Sequence, residues 1–328
     1  MKKILFLMLM LLTVSVGCSS KEVPKDNPTS AETSEEISQE DSQVISTEIV
    51  VNTVTEDREG NAIELPKEIN RIISMGPSNT EVLMALGLQD KIVATDTYSE
   101  GIEGVGEIPM FSIMEPDSEQ LLALEPDVIF VTGMSKASGE DPFELLKNAG
   151  ITIIYIPSSN SIDAIKEDIR YMAKVTKTED IGEEIVNNME TEINKIAEIG
   201  KTIEDKKTVY FEIAAAPSMY SFGKGVFLNE IIEIVGAENV LSDEESWISV
   251  TEEVVMTKDP DVILTSVYYL DDPVSEIKSR AGWDALSAVA NNEVYQVDPN
   301  YANRPSQNVV LAMREIGQYV YPEYYGED

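Results

Sequence analysis

Residues 119–133 read EQLLALEPDVIFVTG, and residues 253–266 read EVVMTKDPDVILTS. In both stretches a glutamate precedes a Pro-Asp-Val-Ile run by the same interval, and the aspartates of the two runs are Asp127 and Asp261. Each stretch predicts a short helix, a Pro-Asp turn and a buried strand. The repetition predicts that the chain contains two related α/β lobes.

A second pair of similar stretches lies upstream of the first pair. Residues 81–93 read EVLMALGLQDKIV, and residues 230–241 read EIIEIVGAENVL. Each predicts an amphipathic helix that is stopped by a glycine, Gly87 or Gly236, before another apolar run. The same order of elements therefore occurs once in each half of the chain. Two lobes imply a cleft between them, and clefts between lobes bind ligands.

Strands and helices alternate through the rest of the chain at the spacing of right-handed βαβ units. Residues 180–205 contain no proline and carry apolar side chains at intervals of three and four, which predicts a long helix. We therefore predict an α/β fold of two Rossmann-like lobes with parallel sheets, joined by a single long helix, with a ligand cleft between the lobes. The predicted segments are a signal peptide at 1–18, a tether at 19–48, lobes at 49–177 and 207–328, and the connecting helix at 178–206.

The composition excludes several classes of function. The chain has 24 Lys and Arg against 60 Asp and Glu, a formal charge of −36, which repels nucleic acid and anionic lipid headgroups. It has no histidine, and its one cysteine is Cys18. Histidine acid–base chemistry, Cys/His nucleophile pairs, ordinary zinc sites and an intrachain disulfide are thereby excluded. We predict no catalytic residue, no metal ligand and no cofactor, so the protein is not expected to be an enzyme.

The N-terminus carries an export signal. Two lysines precede the apolar run 4–16, which is too short for a good transmembrane helix and is typical of a secretory signal. Gly17 and Cys18 follow, and this end resembles the lipobox of bacterial lipoproteins, although Ser15 replaces the usual leucine. An ordinary signal with an incidental cysteine is the alternative.

Residues 19–48 are rich in Ser, Thr and Glu, which predicts a disordered tether. We expect an extracytoplasmic protein held to the cell membrane by its lipid alone.

Ligands of open α/β sheets bind outside the carboxyl ends of the strands. The side chains that follow the predicted strands are mostly aromatic or thioether groups, which suits a large, flat ligand with Arg304 or Lys136 as counter-charge to its anionic groups. Ordinary packing is the alternative for each tyrosine and methionine, and a helix cap is the alternative for Ser78 and Asn79. The predicted ligand contacts are Ser78, Asn79, Tyr98, Met134, Lys136, Met219, Tyr220, Trp247, Tyr268, Tyr301 and Arg304.

The repeated stretches, together with residues 71–99, resemble the bacterial substrate-binding proteins that serve ABC importers for ferric siderophores, haem and cobalamin. The resemblance covers roughly residues 49–322 and implies a monomer whose two lobes bend little about the connecting helix. It also implies a partner, a permease dimer with its ATPase subunits, whose arginines pair with Glu119 and Glu253. For each of these glutamates alone, a solvated carboxylate favoured by the helix dipole is the alternative.

The resemblance predicts the substrate-binding component of an ABC importer that delivers a metal chelate to a membrane permease. Among ligands, a ferric siderophore or similar iron chelate ranks first, a corrinoid such as cobalamin second and haem third. A rival from another class is a two-lobed, chelatase-like enzyme, which would need a histidine or paired carboxylates in the cleft. An adhesion or cell-wall scaffold protein is a further rival, and it predicts no saturable binding of a small molecule.

Overall fold

The computed structural model describes residues 54–136, 139 and 141–326. The predicted signal peptide, Cys18 and the tether lie outside the described residues. The first lobe is built on a parallel sheet whose strands lie in the order β3-β2-β1-β4-β5. These strands are β1 (Ile72–Met75), β2 (Ile92–Asp96), β3 (Met110–Phe111), β4 (Val128–Thr132) and β5 (Thr152–Ile156). The helices of this lobe are α1 (Pro77–Ala85), α2 (Ser118–Ala123), α3 (Glu144–Asn148) and α4 (Ile162–Thr176).

The connecting helix is α5 (Glu179–Gly200), which is 22 residues long. It lies in the chain between the last helix of the first lobe and the first strand of the second, as the apolar spacing of residues 180–205 predicts. Among the described residues, no helix has both the length and the apolar character needed to cross a membrane.

The second lobe repeats the parallel design with the strand order β11-β10-β6-β8. Its parallel strands are β6 (Thr208–Glu212), β8 (Glu238–Asn239), β10 (Val262–Thr265) and β11 (Val294–Gln296). A separate antiparallel ribbon pairs β7 (Tyr220–Phe222) with β9 (Trp247–Ser249). The helices are α6 (Phe227–Ile234), α7 (Glu252–Lys258), α8 (Pro273–Ser279), α9 (Ser287–Ala290), α10 (Pro299–Ala302), α11 (Val309–Val320) and α12 (Pro322–Tyr325).

The two lobes are related element by element, as the repeated stretches predict. Strands β2-β1-β4-β5 of the first sheet correspond in order and direction to β8-β6-β10-β11 of the second. Asp127 accepts a hydrogen bond of 2.9 Å from the backbone N–H of Arg71, just before β1. Asp261 accepts an equivalent bond of 2.8 Å from the backbone N–H of Thr208, at the start of β6. Each repeated aspartate therefore joins its own strand to the neighbouring strand, and the predicted fold class is confirmed.

A continuous hydrophobic core holds the lobes to the connecting helix. Parallel strands are covered on both faces, so β4 and β10 are buried along their whole length. One apolar cluster extends from Ile72 in β1 through Ile196 in α5 to Ile316 in α11. At Gly200 the last turn of α5 meets α6 so closely that an added Cβ would lie 2.2 Å from the carbonyl oxygen of Ile234. Only glycine permits this approach.

Two local features limit regular structure. Around Gly60, Glu56 and Ala62 form an antiparallel bridge, and the Asp57 carboxylate binds the backbone N–H groups of the turn between them. Helix α8 ends at Ser279. Gly282 has a φ of 82°, a left-handed conformation that cannot continue a right-handed helix.

Candidate ligand-binding cleft

A cavity of about 330 Å³ lies between the carboxyl ends of the two sheets. Its walls come from the segments that follow β1, β2, β3 and β4 in the first lobe and β10 and β11 in the second. Parallel strands direct their carboxyl ends to one edge, which is why residues so far apart in sequence meet here. The lining residues are Pro77, Tyr98, Ile113, Met134, Tyr268, Pro299, Asn300, Asn303 and Arg304.

The apolar side chains of this cavity are unusually exposed. Tyr98 is 53% exposed, Met134 59% and Tyr268 62%, although all three are large and mostly apolar. Isolated exposed side chains of this kind are common, but several converging on one concavity are typical of a binding site. These three residues and Arg304 are the predicted ligand contacts that the structure brings together.

A buried network of polar side chains supports the turn that contains Tyr98. Its backbone N–H donates to Asp96, whose other carboxylate oxygen accepts from Ser99 at 2.5 Å. The hydroxyl of Ser99 contacts that of Thr80 at 2.9 Å, and Thr80 donates to Ser74 at the end of β1. Burial raises the pKa of Asp96, and the hydrogen bonds from Ser99 and Tyr98 oppose the rise. The network fixes the turn that presents the Tyr98 ring.

The wall from the second lobe is fixed in a similar way. Asn303 accepts a hydrogen bond of 2.7 Å from the Ser266 hydroxyl and donates one of 3.1 Å to its carbonyl, which ties the segment after β11 to the end of β10. The hydroxyl of Tyr269 accepts from the backbone N–H of Ala215 at 2.8 Å. The ring centroids of Tyr268 and the anchored Tyr269 are 5.7 Å apart, and the two rings are edge to face. This arrangement leaves ring surface of Tyr268 uncovered by Tyr269.

Both predicted counter-charges form ion pairs within the protein. Arg304 Nη1 lies 2.8 Å from Glu81 Oε1, and its Nη2 donates to the carbonyl of Tyr98 at 3.0 Å. Lys136 Nζ lies 2.6 Å from Glu59 Oε2. Arg304 lines the cavity, whereas Lys136 does not and lies over the Tyr155 ring instead. The cation of the cavity wall is therefore already balanced by a carboxylate.

Other predicted contacts lie elsewhere. Met219 is only 3% exposed and packs in the core of the second lobe, so it is not accessible to a ligand. Tyr220 and Trp247 belong to the β7–β9 ribbon, which the sequence did not predict, and the Tyr220 hydroxyl donates to the Trp247 carbonyl at 3.5 Å. Tyr301 packs against the main core and borders a neighbouring groove that also contains Glu81.

Ser78 and Asn79 lie inside the first turn of α1, which begins at Pro77 after Gly76, and no side-chain cap forms there. The helix-cap alternative is therefore wrong. Ser78 is half-buried and Asn79 buried. Among the described residues, Asn79 Nδ2 has no hydrogen-bond partner. Ser78 and Asn79 lie next to the cavity in sequence, but they do not line it.

Ile113 and the Glu81 carboxylate belong to the site but are not among the residues predicted from the sequence. Ile113 follows a strand of two residues, too short to leave a sequence pattern. Glu81 carries a usable signal, since it opens a repeated stretch at the position that Glu230 takes in the second lobe.

A larger groove of about 820 Å³ lies against α4, α5 and α6, away from the carboxyl ends of the strands. Within the described residues, no group of three or more Asp, Glu or Cys side chains is placed to hold a metal ion.

The predicted docking glutamates occupy equivalent positions. Glu119 and Glu253 are exposed in the first turns of α2 and α7, and no ion pair among the described residues includes either of them. Three residues further on, Leu122 is 43% exposed and Met256 37%. Because residues three apart share a helix face, each lobe presents a carboxylate beside an apolar side chain. Both helices begin at the edge of their sheet where the strands end.

A family model described as a periplasmic binding protein matches residues 72–301. The chain belongs to this family. The match spans both lobes, the connecting helix and most of the cleft. Family members are binding proteins.

Individual relatives agree with this assignment. The ABC transporter substrate-binding lipoprotein YvrC of Bacillus subtilis is 29% identical over 86% of this chain and 89% of its own length. The vitamin B12-binding protein of Vibrio cholerae is 26% identical over 78% of this chain and 90% of its own length. A solved structure from Staphylococcus epidermidis, described as a possible iron-binding periplasmic solute-binding protein, is 28% identical with a TM-score of 0.70, covering 78% of this chain and all of that one.

Proposed function

We propose that this protein is the extracytoplasmic substrate-binding component of an ABC importer and that its solute is a bulky metal chelate. The observation that carries the proposal is the cavity at the carboxyl ends of both sheets, where Tyr98, Met134 and Tyr268 expose large apolar surfaces. Such surfaces bind a flat or broad ligand by contact area, with few polar groups to orient it. Capture and release then require no catalytic group.

The charges of the cleft favour a chelate without net negative charge. Arg304, the cation in the described cavity wall, is neutralised by Glu81, and the chain as a whole carries −36. An anionic chelate would meet repulsion with no free cation in the described cleft to offset it. A corrinoid, bound mainly through apolar and amide groups, fits this surface best, and a relative of this chain is named a vitamin B12-binding protein.

A ferric chelate is the second candidate, and it ranked first on sequence alone. The phenol groups of Tyr98 and Tyr268 and the similarity to the Staphylococcus epidermidis protein support it. Haem ranks third, since among the described lining residues Met134 and the tyrosines are the side chains that could bind its iron. The order of the first two candidates rests on the ion pair of Arg304 with Glu81.

Delivery depends on a permease dimer with its ATPase subunits. We propose that permease arginines pair with Glu119 and Glu253, because these exposed carboxylates lack partners among the described residues and occur once in each lobe. Leu122 and Met256 would add an apolar contact beside each pair. Charged contacts of this kind set orientation and association rate more than affinity.

We further propose that residues 1–17 are removed, that Cys18 becomes the lipidated N-terminus, and that residues 19–48 tether the monomeric lobes to the membrane surface. The apolar run before Gly17 and the polar run after Cys18 support this arrangement. Mass spectrometry of the membrane-extracted protein tests it, and a mature N-terminus other than a diacylglyceryl-modified Cys18 would contradict it.

The ligand proposal is tested by thermal unfolding of residues 19–328 with cyanocobalamin, a ferric tris-catecholate and haemin. A ligand at a hundred times its dissociation constant stabilises a fold by about 2.7 kcal/mol. For a lobe pair of this size, that raises Tm by about 5 °C. We expect the largest rise with cyanocobalamin. If none of the three ligands raises Tm, a chelate-binding function is contradicted and the scaffold alternative remains. Release or insertion of the metal on mixing would instead favour the chelatase alternative.

A further inference from the structure

The guanidinium of Arg304 is held by a carboxylate from the other lobe. Glu81 lies in α1, and Arg304 follows β11 near the end of the chain. The side chain of Arg304 is 14% exposed and that of Glu81 7%, so their 2.8 Å contact is largely screened from water. A shielded pair of this kind keeps its geometry, whereas an exposed pair at the same distance contributes little.

Glu81 is itself fixed by the segment before α11. The hydroxyl of Ser306 and the amide of Asn308 both donate to Glu81 Oε2, the latter at 3.0 Å. Gln307 donates to the backbone carbonyl of Glu81 at 3.2 Å. With these two side-chain donors in place, the carboxylate cannot turn away from Arg304 without losing both hydrogen bonds. The charge of Arg304 is therefore balanced by a carboxylate that is itself held in position.

The equivalent residue of the second lobe shows which part of this arrangement is structural. Glu230 also binds the start of a helix, accepting a 2.8 Å hydrogen bond from the backbone N–H of Ile162 at the first residue of α4. No ion pair of the described residues includes Glu230. In both lobes this glutamate thus binds the start of another helix. Of the two, Glu81 also neutralises a cation of the cleft, and Glu230 does not.

We infer that Glu81 determines the charge class of the ligand, and that the cleft rejects anionic chelates because this carboxylate cancels Arg304. The inference rests on the proposed chelate-binding function and deepens it. Carboxylates in the groove that adjoins the cavity, Glu100, Glu103 and Asp298, add negative potential near the same arginine. Lys136, which does not line the cavity, forms a more exposed pair with Glu59.

The test compares the full chain with Glu81→Gln and with the double variant Glu81→Gln/Arg304→Gln. Glutamine keeps the size of the residue and an acceptor for Ser306 or Asn308, but it exposes the charge of Arg304 to the cleft. Dissociation constants are measured by isothermal titration calorimetry for a neutral probe, cyanocobalamin, and for a trianionic probe, a ferric tris-catecholate. Each is measured at low and at high salt.

We expect Glu81→Gln to bind the trianion at least tenfold tighter than the unmodified chain does, about 1.4 kcal/mol. Its affinity for the neutral probe should stay within about threefold, and the gain should shrink at high salt, because salt screens charges. The double variant restores a neutral cleft and should lose the gain. Glu59→Gln frees Lys136 outside the cavity lining and should raise the affinity for the trianion less than Glu81→Gln does. Glu81→Asp shortens the carboxylate side chain and draws it back from Arg304, and it carries the test if Glu81→Gln does not fold.

Three results would overturn the inference: an unmodified chain that already prefers the trianion, a Glu81→Gln variant that changes both probes alike, or a double variant that keeps the gain. Binding of neither probe to any variant would overturn it together with the proposed ligand class. Binding of the neutral probe alone, unchanged by either freed cation, would overturn the role of Glu81 while leaving the importer function intact.

Discussion

Replacing Arg280 by methionine should destabilise the second lobe strongly. Arg280 places Nη1 and Nη2 each 2.7 Å from the carboxylate of Glu212, the last residue of β6. Glu212 is fully buried, and the Arg280 side chain is 5% exposed. The Arg280→Met variant keeps an apolar side chain of similar length but leaves Glu212 with only a long 3.4 Å bond from the Tyr210 hydroxyl.

The size of the effect follows from this burial. Removing one partner of a buried ion pair costs about 3–5 kcal/mol, because the remaining charge is neither hydrated nor paired. For a folded unit of this length, each kcal/mol shifts Tm by about 2 °C. We therefore expect Arg280→Met to melt about 5–10 °C below the unmodified protein in differential scanning calorimetry. The double variant Arg280→Met/Glu212→Leu removes both charges and should recover most of that loss.

The loss should also depend on pH in a known direction. Burial raises the pKa of Glu212, and the hydrogen bonds from Arg280 oppose the rise. Without Arg280 the pKa of folded Glu212 rises further above its unfolded value. The folded variant then binds more protons than the unfolded chain, so its deficit is largest above the folded pKa and shrinks as pH falls toward the ordinary glutamate value, about 4.3. A deficit independent of pH between 8 and 5, or equal deficits in the single and double variants, would refute the reasoning.

Three further predictions concern the cleft, the partner surface and the lobe junction. Tyr98→Ala and Tyr268→Ala should each weaken ligand binding about tenfold by calorimetry, because each removes an exposed ring from the cavity. Glu119→Lys with Glu253→Lys should abolish uptake in cells while leaving the dissociation constant and Tm unchanged, since both carboxylates are exposed. Gly200→Ala should lower Tm by several degrees, because its Cβ would lie 2.2 Å from a carbonyl oxygen of α6.

Matched variants separate these effects from general damage. Tyr324→Ala removes an exposed tyrosine from α12 and should leave binding unchanged. Glu179→Lys with Glu184→Lys makes the same change of charge on α5, outside the proposed partner surface, and should preserve uptake. Loss of uptake in this control would assign the effect to net charge. Loss of binding in the Glu119 and Glu253 variant would place these residues in the ligand site or the core.

The repeated stretches predict the fold because their residues act within one lobe. A Pro-Asp pair before an apolar run marks the start of β4 or β10, and the aspartate then binds the neighbouring strand of the same sheet. Elements that are not preceded by such a Pro-Asp turn are harder to predict. The ribbon of β7 and β9 joins strands of three residues each across an intervening helix, and its sequence has the composition of a loop.

The composition of the cleft is predictable in part for a related reason. Side chains that follow parallel strands must meet at one edge, so Tyr98, Met134 and Tyr268 follow from the strand pattern alone. Met219 follows the same rule, but its side chain turns into the core, because strand order does not specify the direction of a loop side chain.

The charge of the cleft cannot be predicted this way, because Arg304 and Glu81 are 223 positions apart and belong to different lobes. Both lobes carry a glutamate at this position in α1 or α6, and in both it binds the start of another helix. Whether that glutamate also neutralises a cation depends on what the facing segment carries, and of the two facing segments the one after β11 brings an arginine. In our proposal the same contact also sets the charge of the ligand that the cleft accepts, so the cations visible in the sequence are a poor guide to the charge that a ligand meets.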